Sequence, residues 1–467
     1  MSASFASALI LFLVAFAAVP MSRRWTGDYF SPPALIVTTW AATFGVFLLQ
    51  VIPYPEIARE TIWLLLASSV AIVVAAVVSW RRIERSPGTF GRLNLLHPDW
   101  CIRTLAIGGL LGIAWYLWSV ADTLGLSAFV DRPQRIRFGM AEGLVPTRFL
   151  VFEYLCIATP IAAVTLSLTG TPLRRSTWAL VALATLGTWI STDRTQFFVV
   201  ALTVYFVFVL AKGRSLRLVP FVVSTLVFLV VLGSYFLLIG AWMSKTPATL
   251  GVEIQLPRAS RPALQMRAQS GQAPKRRVAQ DESSWEEQVR RNLQRVSTIF
   301  LYATASYRAL DVLLDNPQPR TYGAHVLYPL ARLFERVGIV PGGVPQAIPP
   351  FAPLGLTEGT DVTFNAYTYL YYPLVDFGPV GAVLYAGAIG ALVGAIYGCF
   401  RRERASPFWV LTMGHVSMAL ALTVFVNKFN NTAAWYIYAW SCLPFAVALV
   451  AKRLGWGAGA DPRAQAS

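Results

Sequence analysis

The chain returns repeatedly to apolar runs of roughly 18 to 25 residues, the length a helix needs to cross a hydrocarbon layer about 30 Å thick. One such run fits a buried core helix, but a long series of them fits only a lipid-facing protein. Candidate spans are Ser4 to Val19, Pro33 to Ile52, Thr61 to Trp80, Cys101 to Ala121, Leu150 to Leu168, Trp178 to Ile190, Phe197 to Ala211, Leu218 to Ala241, Pro379 to Phe400, Pro407 to Val426 and Ala434 to Val450. The expected fold is all-α, a polytopic membrane helix bundle of about eleven transmembrane helices. Only 13% of the residues are charged, against about a quarter in soluble domains. The first run has no basic residue before it and Arg23 and Arg24 after it, which suits an uncleaved first helix entering from outside rather than a signal peptide.

Alternate short loops carry the arginines: Arg23 and Arg24; Arg81, Arg82, Arg85 and Arg92; Arg174 and Arg175; Lys212, Arg214 and Arg217; Arg401, Arg402 and Arg404; Lys452 and Arg453. By the positive-inside rule these loops are cytoplasmic, so the amino terminus is outside and the carboxyl terminus inside. The same parity places outside the loop from Thr123 to Arg148, the Ser191 to Arg194 hairpin, the stretch from Met243 to Asp376 and the Asn427 to Thr432 turn. The expected organisation is helices 1 to 8 in residues 1–242, an extracytoplasmic loop in 243–376, helices 9 to 11 in 377–451 and a cytoplasmic tail in 452–467. The net charge of +16 is thereby assigned to membrane surface and anionic substrate, not to nucleic acid. The cysteines, Cys101, Cys156, Cys399 and Cys442, lie in or beside apolar runs without metal or disulfide spacing and read as packing residues.

Within the outside segment, residues 243–280 mix Pro, Ser, Gln and Arg and read as a flexible excursion. A helix signal follows in residues 281–376: Asp281 or Ser283 can cap, Glu286 and Glu287 fall in the first turn, and Val289, Leu293, Val296 and Phe300 recur at helical spacing. This amphipathic helix, lying against the membrane or the bundle, should continue through Tyr307 and Leu310 to Leu314, where Asn316 and Pro317 stop it. A second helix is expected from Val326 to Arg336. Beyond a Gly- and Pro-rich loop come Glu358, Asp361, Thr363 and Asn365, then Tyr367, Tyr369, Tyr371 and Tyr372. Such a polar and aromatic mouth suits sugar binding, because pyranose faces stack on rings while carboxylates and amides bond hydroxyls. An interfacial tyrosine belt is the plainer account of some of these rings.

Three stretches resemble the oligosaccharide repeat-unit polymerases, the O-antigen polymerase type of multi-span envelope glycosyltransferase. They are STDRTQFF (Ser191 to Phe198), YATASYRALDVLLDNPQPRTYGAHVLYPLARLFERVG (Tyr302 to Gly338) and FNAYTYLYYPLVDFGPVGAVLYAGAIGALVGAIYG (Phe364 to Gly398). With the order of spans, the likeness covers most of Ser191 to Gly398. The resemblance implies a protein of the bacterial cytoplasmic membrane that joins lipid-linked repeat units at its outer face, using undecaprenyl diphosphate as the carrier. Membrane lipids, a chain-length regulator and a flippase are the partners it implies, and no cofactor.

A lipid diphosphate leaving group gathers negative charge as the glycosidic bond breaks, and guanidinium groups stabilise it because they stay charged and grip phosphate oxygens bidentately. Arg194 stands first among the candidates, since placing it mid-bilayer would cost on the order of 3 kcal/mol and it must face a cavity or the boundary; an ion pair with Asp193 is the alternative. Arg135 and Arg137 follow, then Arg308 and Arg320, which lie in the family-like stretch. A base must orient or deprotonate the acceptor hydroxyl. His325, the only histidine outside, leads, with Asp361, Glu358 and Asp376 as alternatives, although Asp376 could equally cap the ninth span. Tyr322, Glu358, Asn365 and Tyr369 are the expected sugar contacts. No cluster at metal-ligand spacing stands on the outer face, so metal-independent transfer is expected. The rival readings are an O-antigen ligase-like transferase, with the same donor and another acceptor, and a lipid-oligosaccharide flippase or transporter, which usually shows internal repeats and broken helices.

Overall fold

The computed structural model describes residues 3–52, 54–86, 95, 97–125, 150–190, 194–242, 300–301, 303–336, 339, 352–355, 363–364 and 367–454. Arg135, Arg137, Glu358, Asp361, Asn365 and the flexible excursion expected in 243–280 lie outside them, and of Arg194 only the backbone is described.

The chain is all-α. Its helices are α1 (Ala3–Thr26), α2 (Pro32–Leu48), α3 (Arg59–Arg85), α4 (Pro98–Leu124), α5 (Leu150–Leu168), α6 (Arg175–Ile190), α7 (Arg194–Lys212) and α8 (Leu218–Trp242). They are followed by α9 (303–315), α10 (Tyr328–Arg336), α11 (Tyr371–Arg402), α12 (Pro407–Ala421), α13 (Thr432–Ser441) and α14 (Leu443–Arg453). A two-residue antiparallel pair, β1 (Ala352–Pro353) with β2 (Thr363–Phe364), sets Ala352 opposite Phe364. Helix starts follow local chemistry: α2, α4 and α12 open on a proline, whose missing N–H costs nothing at the first turn, while the Asn431 side chain accepts the Ala434 N–H to cap α13.

Each apolar run marked in the sequence overlaps a helix, but Pro33 to Ile52 and Pro407 to Val426 run past the ends of α2 and α12, and Ala434 to Val450 is divided between α13 and α14. Six helices among the described residues are long and apolar enough to cross a membrane, and a seventh span arises if α13 and α14, bent by 50° at their junction, count as one. The apolar stretches of α2, α5 and α7 are shorter. Large apolar side chains such as Val219, Val223 and Val230 on α8 and Val70, Val74 and Val78 on α3 stand exposed, as a lipid-facing surface requires.

Helices approach one another where side chains are small. In α11, Gly390 and Gly394 leave no space for a methyl group: a Cβ at Gly390 would stand 2.4 Å from the Ile72 carbonyl oxygen, and one at Gly394 2.2 Å from that of Ala76. Glycines four apart thus lay α11 directly on the backbone of α3, the arrangement that holds helices together where lipid removes any hydrophobic drive. The expected tight hairpin of the sixth and seventh runs is not a packed pair. Instead α6 lies on α4 and α5, whereas α7 lies on α5 and α12.

Four of the arginine-rich segments meet at one end of the bundle. There the buried Asp28 carboxylate accepts two N–H groups of Arg404, at 2.8 and 2.6 Å, and the Tyr397 hydroxyl at 2.7 Å. Arg23 donates to the carbonyls of Gly27 and Gly213, and Arg401 pairs with Glu84 at 3.1 Å. These bonds tie the α1–α2, α7–α8 and α11–α12 turns to one another.

Candidate functional site

The opposite end is built by residues 303–339 folding back onto the bundle. Of the two places expected for this amphipathic helix, the membrane or the bundle, α9 takes the bundle and is a buried strut: Ala305, Ser306, Tyr307, Ala309 and Leu310 have no exposed surface. Small residues on either side of Tyr307 let the helix sink between its neighbours. The Tyr307 hydroxyl meets Thr43 Oγ1 at 2.7 Å, and its ring packs edge-on against Trp40, Phe44 and Phe47. Burial raises the Tyr307 phenol far above its ordinary value, partly offset by the bond to Thr43, so it stays neutral and acts by packing.

Arg308 lies on this strut and is already paired. Asp311 holds it, and the other Asp311 oxygen accepts the Ala58 N–H at 2.9 Å and the Thr61 hydroxyl at 2.6 Å. The charge of Arg308 is therefore balanced within the protein, and the pair fastens α9 to the start of α3.

The second cluster joins the two long family-like stretches residue by residue. Asp376, fully buried, accepts the Thr321 hydroxyl and the backbone N–H groups of His325, at 3.2 Å, and Val326, at 2.7 Å. Its own carbonyl accepts from the Tyr322 N–H at 3.2 Å. The next residue, Phe377, sets its ring beside Gly323, where an added Cβ would stand 3.2 Å from Cζ. Then comes Gly378, at φ +75°, ψ −174°, a break in α11 that an L side chain resists; an added Cβ there would meet the Arg320 guanidinium at 2.8 Å. Asp376, Phe377 and Gly378 thus receive Thr321 to Val326, Gly323 and Arg320 in turn. Asp376 does not cap the ninth span, one of its expected roles. Its side chain turns away from α11 to satisfy the turn that leads into α10, because a buried carboxylate finds its partners in unpaired N–H groups.

Around this junction the candidates separate. Arg320 is exposed, and among the described residues no carboxylate pairs with it. His325 is half-buried, with its ring 6.2 Å from that of Tyr372. Tyr322 is 83% exposed, on a left-handed backbone at φ 49°, and is available to a ligand. Tyr369 has no exposed surface and packs edge-on against Trp40, so it is a core ring rather than a sugar platform. Burial pushes the Tyr367 phenol up to about 12, which removes it from acid–base work near neutrality.

One group of polar residues escaped the sequence reading. The turn between α12 and α13 carries Asn427, Lys428 and Asn430, all buried. Asn427 accepts the Asn430 N–H at 3.2 Å and donates to the Tyr385 hydroxyl at 3.0 Å. Asn430 donates through Nδ2 to the His325 carbonyl at 2.6 Å. The signal was present: a lysine and three asparagines within five residues, between two apolar runs, is costly at a membrane boundary unless the residues serve a structure or a ligand.

A groove of about 400 Å³ between α5, α7 and α8 is lined by Val164, Phe197, Phe208, Phe228 and similar apolar groups and offers no chemistry. Among the described residues no three His, Cys, Asp or Glu side chains come together as a metal site would require. Comparison with known protein families, with curated proteins and with solved structures finds no match to this chain.

Proposed function

We propose that the protein is a glycosyltransferase that joins lipid-diphosphate-linked oligosaccharide units at the outer face of a bacterial cytoplasmic membrane. On this reading the eleven apolar runs are all spans, the arginine-rich end of the bundle is cytoplasmic, and the Asp376 end faces outward. The carrier is undecaprenyl diphosphate, as the resemblance of the three quoted stretches implies.

The observation that carries the reading is the Asp376 junction. It brings an exposed guanidinium, Arg320, without a carboxylate partner among the described residues, and an imidazole, His325, onto one turn at one rim of the bundle, held by a carboxylate that cannot itself reach solvent. An anionic leaving group needs the first and an acceptor hydroxyl the second. Arg320 takes the place at the diphosphate first expected for Arg194, because Arg320 is exposed and lies on the same turn as His325. Arg308 is left out, since Asp311 neutralises it. Asp376 positions this turn and does not touch substrate.

Two variants test the assignment in membranes supplied with lipid-diphosphate-linked repeat units. Arg320→Ala lowers transfer at least tenfold at unchanged membrane abundance, and Arg320→Lys restores part of it at most, because an ammonium lacks the bidentate fork. Full activity of Arg320→Ala would remove Arg320 from the diphosphate. His325→Ala lowers kcat with little change in KM, whereas full activity of this variant would reject His325 as the base.

A further inference from the structure

Asn430 is more than nine-tenths buried, and its carboxamide has a fixed orientation. The group at 2.6 Å is the His325 carbonyl oxygen, which can only accept, so the amide nitrogen must point at it and the amide oxygen must point away. That oxygen, Oδ1, is buried and has no hydrogen-bond partner among the described residues. Most buried polar atoms in folded proteins are paired, and one left unpaired marks a place where a donor is missing. The residue cannot turn to relieve it. Its backbone N–H is held by Asn427 Oδ1, and Asn427 is held in turn by Tyr385 and by the Tyr369 carbonyl. The carbonyl it holds belongs to His325, a half-buried residue and the one assigned to the acceptor hydroxyl.

We infer that Asn430 is a specificity residue whose Oδ1 accepts a hydrogen bond from one hydroxyl of a bound glycan. The inference rests on the reading that the substrate is a glycan. A hydroxyl is the donor that suits the site: it is neutral, so it can enter a buried position without the cost of a charge, and a sugar presents several in fixed directions. By gripping the His325 carbonyl with one end of its amide and the sugar with the other, Asn430 sets the distance between the base and the hydroxyl that reacts.

The test uses the full-length protein in lipid nanodiscs. The probes are the lipid-diphosphate-linked repeat unit purified from the cells of origin and a set of analogues each lacking one hydroxyl. One analogue should bind the wild-type protein at least tenfold more weakly than the parent, because removing it leaves the amide oxygen buried and unpaired. Asn430→Ala should bind that analogue and the parent equally well while still discriminating among the others. Should the alanine variant fail to accumulate in the membrane, Asn430→Ser, whose hydroxyl can still donate to the His325 carbonyl, replaces it with the same expectation. If every analogue loses the same factor in variant and wild type, Asn430 does not read a hydroxyl and the inference falls. Binding that follows the predicted pattern without any glycosidic bond forming sinks the polymerase reading alone. Bond formation without the pattern sinks the inference alone, and absence of binding by the wild-type protein sinks both.

Discussion

At the scale of single residues, the structure divides charged groups into those that hold the fold and those free to meet a ligand. Asp311 and Arg308 belong to the first kind. Asp311→Ala strands a mostly buried guanidinium and the N–H of Ala58, and should destabilise the protein by about 3 kcal/mol, read as a fall in the thermal unfolding midpoint in detergent. Asp376→Ala leaves two N–H groups and a hydroxyl without their acceptor, a loss of about 2 kcal/mol that should be local. Protease cleavage within 320–336 should rise more than cleavage elsewhere, whereas uniform sensitivity would place Asp376 in the global core instead. Arg320 and His325 were named as candidates from the sequence, but their meeting on one turn held by Asp376 was not legible there. The burial of Tyr369 was not either, because a tyrosine in an aromatic run reads the same whether it lines a mouth or fills a core. Nor could the sequence show that Asp311, which neutralises Arg308, also takes the Ala58 N–H and the Thr61 hydroxyl, because those partners are distant in the chain.

At the scale of elements, hydrophobic length located the helices, since a stretch without charges has no stable place outside lipid or core. It set the start of the ninth span at Pro379, beside the break at Gly378, but could not show that the helix begins earlier, at Tyr371, or that the break depends on one left-handed glycine that receives Arg320. Nor could it show that α9 is a strut, because small residues beside Tyr307 permit either a solvated or a sunken helix. The α3–α11 contact gives a sharp test at this scale. Gly394→Ala places a methyl group 2.2 Å from the Ala76 carbonyl oxygen, while at Gly387 nothing lies within 4 Å. The first substitution should cost about 1 to 3 kcal/mol through forced separation of the helices, and the second should leave the melting temperature unchanged or slightly higher. Equal effects at the two positions would mean that α11 does not lie on the α3 backbone.

At the scale of the whole molecule, the bundle has two chemically different ends. One is stitched by Asp28, Arg404, Arg23, Arg401 and Glu84; the other by Asp311, Asp376 and the asparagine turn. The proposed orientation predicts that a cysteine at Asn316, in a variant lacking the four natural cysteines, reacts with a membrane-impermeant maleimide added to intact cells, and that one at Arg24 reacts only after lysis; the reverse pattern would place the Asp376 junction in the cytoplasm. The most direct measurement is the reaction itself. Purified protein in liposomes, given only lipid-diphosphate-linked repeat units, should form glycosidic bonds and yield a ladder of products each one repeat unit longer than the last. If no bond forms while labelled lipid-oligosaccharide crosses the bilayer, the protein is a carrier and the account given for Arg320 and His325 is wrong.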